Sequence, residues 1–114
     1  MNNNKIVDSG YPELPFWVND HGLDALRSIT IVSGSTVLKG GTVLGKVSTH
    51  RKYDAYNNGG SGGLEVAAGI LFNRADPREG DVLASLYVTG VVRSGSLTGY
   101  DSNAKTDLPR IEFV

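Results

Sequence analysis

From Ser28 onward, apolar and polar residues follow one another in short runs with the period-two rhythm of half-buried strands, and glycines cut the runs apart. The clearest run is VLASLYVTGVVR, residues 82–93. Val82, Ala84, Leu86 and Val88 fall on one face and Leu83, Ser85, Tyr87 and Thr89 on the other, with Gly90 placed to bend the strand. Upstream lie SITIV, an SGS turn, TVL, the turn Lys39-Gly40-Gly41, and TVLGKVST, in which Gly45 is expected to curve the strand. RKYDAY (51–56) follows, then LEVAAGILF (64–72), where an interior glycine at 69 predicts a bulge or a close approach of another chain segment. The chain closes on RIEFV, with Ile111 and Phe113 sharing a face. Helical signals are brief: one turn over residues 22–27, GLDALR, and one over 103–107, ended by Leu108-Pro109. Seven or so short segments with glycine bends predict a compact barrel or sandwich.

Residues 1–27 have a different texture. An asparagine run at 2–4 and prolines at 12 and 15 accompany apolar residues that keep neither a helical nor an alternating period. Tyr11-Pro12 and Leu14-Pro15 each push the residue before proline toward extended geometry, so this stretch reads as a stiff arm. Tyr11, Leu14, Phe16 and Trp17, the last being the only tryptophan, admit two readings. They are anchors that fill pockets on a partner while the arm adds to its sheet edge, or they fold back over the chain's own core.

Composition narrows the function classes. At 114 residues and 12.1 kDa the chain is one domain, with a modest core and little room for an enzyme cleft. Eleven basic against twelve acidic residues leave a net charge of −1, which offers no broad attraction to nucleic acid or to an anionic membrane. There is no cysteine, and hence neither a disulfide framework nor thiolate catalysis. No leader-like or bilayer-length apolar stretch stands out, so a soluble, non-secreted product is expected. Fifteen glycines exceed the usual share of roughly 7% and suit many tight turns.

Candidate chemistry is sparse. Lys39 and Lys46 flank a glycine-bearing hairpin of the kind that carries lipoyl or biotinyl groups, but the flanking motif is missing, and edge charge that discourages strand pairing explains them as well. NNGGSGG (57–63) is followed by Leu64-Glu65-Val66 rather than by the lysine and hydroxyl residue of a phosphate loop, and reads as a flexible tip that tolerates insertions. Asp76, Glu79 and Asp81 are too few, with Arg78 among them, for a calcium loop. His21 and His50 cannot complete a zinc site without further ligands. His50 with Asp54 has no serine nucleophile motif beside it. No catalytic residue, metal or cofactor is therefore expected.

The order ITIVSGSTVLKGGTVLGKVS, KYDAY, a variable loop, VAAGIL, VLASLYVTGVV and a closing RIEFV resembles the head decoration proteins of tailed bacteriophages, the lambda-type protein D family, over residues 28–114. The resemblance implies a mainly β fold, a small single-domain β-barrel or β-tulip-like unit with short helical turns and an extended N-terminal arm. It implies a non-enzymatic cementing protein, synthesised in the host cytoplasm, that binds as homotrimers at local three-fold sites on the outer surface of the expanded head and holds it against the pressure of packaged DNA. Its partners would be the major capsid protein and itself, with no direct nucleic acid and no membrane. By position and composition, residues 1–27 become the capsid-contacting arm, with Tyr11, Pro12, Leu14, Pro15, Phe16 and Trp17 as its contact residues, and residues 28–114 the decoration domain. The competing class is a virion-surface binding module that recognises a host glycan or cell-wall polymer.

Overall fold

The computed structural model describes residues 16–17, 25–34 and 36–114. Strands β1 (Leu26–Ile31), β2 (Val43–Lys46), β3 (Tyr53–Ala55), β4 (Ala67–Leu71) and β5 (Val82–Tyr87) close into a barrel in the order β1-β3-β2-β4-β5. The chain is mainly β, and of the barrel or sandwich that the alternation predicts it forms the barrel. Two further strands, β6 (Gly90–Val92) and β7 (Ile111–Phe113), pair in parallel as a separate ribbon, and helix α1 (Ser102–Asp107) falls between them in sequence. Within the barrel all pairings are antiparallel except β1 with β3, which is parallel and has the single register pair Ile31↔Tyr53.

Period-two side-chain alternation builds two cores from one wall. Ile29 and Ile31 of β1, Leu44 of β2, Leu71 of β4 and Leu86 of β5 fill the barrel, with Leu38 and Ala75 bridged to each other beside them. Residues of opposite orientation on the same strands, Val43, Ile70 and Tyr87, belong to a second core with Val92, Ala104, Leu108 and Ile111. Ile31, Leu44, Ile70 and Leu71 are fully buried, each worth about 1.5–3 kcal/mol relative to exposure. A slip in the β2–β4 register, from Leu44↔Gly69 to Gly45↔Ala67, leaves Ala68 as an extra residue. That bulge lets Ala67 and Ile70 serve the second core while Leu71 serves the barrel.

Three local expectations change. The run 82–93 is two strands in different sheets: Gly90, at φ 140°, opens β6 as the chain leaves the barrel for the ribbon. The helical turn expected over 22–27 is not formed at its end, where Leu26 and Arg27 pair with Tyr87 and Leu86 as the start of β1; residues 22–24 lie outside the described residues. Six residues do not offset the cost of helix nucleation without outside support, whereas strand pairing there is supported by a six-residue partner. β1 thus crosses the boundary drawn after residue 27. Third, the loop 57–63 is seated at its far end, where Gly62 O accepts from both the amide (2.8 Å) and the hydroxyl (2.7 Å) of Ser48. Gly63 has φ 111°, and a Cβ there would run into the carbonyl of Lys46. Its near end is held as well, with the Asn57 amide donating to Leu64 O at 2.9 Å and Asn57 O accepting from the Gly60 amide at 2.9 Å.

Candidate functional site

The residues assigned to the arm divide. Tyr11, Pro12, Leu14 and Pro15 lie outside the described residues. Phe16 and Trp17 run beside β6: Trp17 forms an antiparallel bridge to Val92, the Arg93 amide donates to Phe16 O at 2.7 Å, and the Arg93 guanidinium donates to Trp17 O at 3.1 Å. Phe16 is 5% exposed and meets Tyr87 and Phe72 edge-on, with ring centroids 5.5 and 6.2 Å away. Trp17 is half-buried and stacks on Phe72 at 6.0 Å. Such aromatic pairs add roughly 0.5–1.5 kcal/mol each beyond area burial. The place where the N-terminal segment meets the domain is therefore a fixed, packed point on the second core.

Asp54, Asp76, Asp81 and His50 among the other candidates are held by structural partners. Lys39 is exposed at its turn, and the Lys46 ammonium stands 5.9 Å from the centre of the Tyr53 ring. Asp76 accepts from Arg78 Nε and Nη2, both at 2.8 Å, and from the Arg78 amide; these hydrogen bonds hold its carboxyl down at about 2. Asp81 accepts from Lys52 Nζ at 2.6 Å and from the Ser33 amide at 2.8 Å, which lowers its pKa. His50 Nδ1 accepts from the Lys52 amide, and Asp54 accepts from the Ala55 amide. His21 lies outside the described residues. Among the described residues no group of three or more His, Cys, Asp or Glu side chains is placed to hold a metal ion, and no helix is long and apolar enough to cross a membrane.

One polar network escaped the motif reading. Tyr56 Oη donates to Asp101 Oδ1 at 3.0 Å, the same oxygen caps α1 by accepting from the Ala104 amide at 2.8 Å, and Asp107 at the other end of the helix accepts from the Ala67 amide at 2.9 Å. Burial of Tyr56, followed by the Asp101 carboxylate, pushes the phenol up to about 12. The aspartate three residues before Ala104 was a legible capping signal. Its tyrosine partner, far off in sequence, was not.

A closed five-stranded barrel with a parallel two-stranded ribbon and one short helix defines a small, mainly β domain. The family model for bacteriophage lambda head decoration protein D matches residues 16–110, and the chain belongs to that family of structural capsid proteins that decorate the phage head. The matched region begins at Phe16, twelve residues before the start of the resemblance read from the motifs, and so includes the packed aromatic pair. No curated protein matches the chain.

Proposed function

We propose that this protein binds as homotrimers at local three-fold sites on the exterior of an expanded phage head, where each trimer bridges major capsid subunits and holds the shell against internal DNA pressure. The observation that carries the reading is the family match over residues 16–110. Bridging makes separation of two shell subunits require the breaking of decoration contacts too, and three copies of each contact act together through high effective concentration. Closed three-fold symmetry repeats one interface three times and leaves no open end. The protein is made in the host cytoplasm and resides on the outer face of the virion.

The arm supplies the shell contact. The Tyr11-Pro12 and Leu14-Pro15 steps predict a stiff arm from the sequence, with Tyr11 and Leu14 as shell contacts together with the half-buried Trp17. Phe16, buried in the second core, fixes where the arm leaves the domain. Ordering the arm costs roughly 1–2 kcal/mol per backbone residue, so its apolar side chains must be buried against the shell to compensate. Removal of residues 1–15 is expected to leave a folded trimer by sedimentation and to weaken binding to undecorated expanded heads by about 100-fold or more, corresponding to roughly 2.8 kcal/mol. Unchanged occupancy of heads by the truncated protein would exclude the arm as the contact.

A further inference from the structure

We propose that the splayed seam between β1 and β3 is a second docking site, which accepts an extended acidic segment of the shell subunit as an added strand. This rests on the decoration reading above. β1 is paired to β5 along its whole length, from Leu26↔Tyr87 to Ile31↔Val82, but meets β3 at one residue pair only, with the Val32 amide donating to Tyr53 O at 3.0 Å. Continued parallel register would set Thr30, Ile29 and Ser28 beside Lys52, Arg51 and His50. A tight turn prevents it. The Arg51 amide donates to Val47 O at 2.7 Å, the Val47 amide to Lys52 O at 2.8 Å, and Arg51 itself sits at φ 65°, the one non-glycine residue with positive φ among the described residues. The two strands diverge, and a groove of about 450 Å³ opens between residues 28–30 and residues 50–53.

Alternate residues of an antiparallel strand turn their backbone groups away from the partner, and with the Val32 amide aimed at β3 these are Ser28 and Thr30, which face the groove. An extended peptide can use them as a further strand, with its side chains supplying specificity. The wall selects the sign of that peptide. Lys46, His50, Arg51 and Lys52 line the groove and no carboxylate does. Lys52 is paired to Asp81, whereas Lys46 and Arg51 enter no ion pair among the described residues. Cationic side chains beside a sheet edge reject most strands. They also favour one that carries carboxylates. Leu83, 82% exposed at the rim, offers an apolar contact to the same segment.

The test is hydrogen exchange by mass spectrometry over residues 26–31 of the full chain, free and bound to undecorated expanded heads, alongside the double variant Lys46→Glu, Arg51→Glu. Decoration is expected to slow exchange in this peptide at least ten-fold. The variant should keep its sedimentation and thermal melting, lose ten-fold or more in head affinity, and lose the wild type's sensitivity to salt. If the wild type does not bind heads, the decoration reading itself fails. If it binds while exchange over 26–31 and the affinity of the variant are unchanged, decoration stands and the seam inference is overturned. It is equally overturned if exchange is already slow in the free trimer, which would mean that another copy of the chain closes the seam, or if inorganic polyphosphate slows exchange as heads do, which would mark the groove as a site for anionic polymer.

Discussion

Gly69 and Leu86 occupy one place in the barrel. A Cβ built on Gly69 would stand 2.6 Å from Leu86 Cγ and 2.7 Å from Cδ1, and Leu86 is 3% exposed with no open side to move into. Leu86 can be large only because position 69 has no side chain. Gly69→Ala is therefore expected to destabilise the fold by about 1–3 kcal/mol through overpacking. Leu86→Ala alone should cost about 2–5 kcal/mol through the cavity it leaves. In the double variant the new methyl fills part of that cavity, so a denaturant-melt cycle should show the pair costing less than the sum of the singles. Strict additivity would mean the two residues are not in conflict. That a glycine within AAGIL marks a bulge or a close approach was legible in sequence, and both occur: the β2–β4 register slips beside Gly69, and Leu86 stands over it. Which residue approaches was not, since the contact is set by closure of the barrel.

Helix α1 has six residues, too short to persist without outside support, and it is pinned at both ends. Asp101 caps it and receives the Tyr56 hydroxyl, and Asp107 receives the Ala67 amide from β4. Because burial and the neighbouring carboxylate oppose phenolate formation, the Tyr56 pKa is raised from 10.0 to about 12. The folded state thus holds this proton more tightly than the unfolded chain. The corresponding stability is fully present below pH 10 and is lost as pH rises through about 12. Ultraviolet titration compared with that of Tyr56→Phe should show the Tyr56 phenol ionising near pH 12, and Asp101→Asn should bring it lower while weakening the helix cap only slightly. If the Tyr56 phenol ionises at its ordinary value of 10.0, the network does not exist in solution. At this scale, strands that alternate were readable one by one. The parallel β1–β3 contact, the passage of the chain from barrel to ribbon at Gly90 and the Tyr56 brace were not, because each joins segments whose local pattern carries no trace of the other.

The molecule as a whole is two cores sharing one barrel wall, and Phe16 belongs to the second of them. Read from sequence, Tyr11, Leu14, Phe16 and Trp17 were either anchors for a partner or cover for the chain's own core, and only the distant Phe72 and Tyr87 reveal that Phe16 is seated in that core. If the arm makes the shell contact as proposed, Phe16 at its end serves stability first, and any truncation that passes it mixes two effects. Phe16→Ala is expected to cost about 3–5 kcal/mol, a large part of the 5–15 kcal/mol typical of a domain. The loss should be confined to the second core: Trp17 emission should shift red as its stacking on Phe72 loosens, while methyl resonances of Ile31 and Leu44 inside the barrel stay in place. Head binding should fall as well, because the arm would leave the domain without a fixed root. If the variant melts like the wild type and Trp17 emission is unmoved, Phe16 is not packed on the second core, and the arm begins farther along the chain than residue 15.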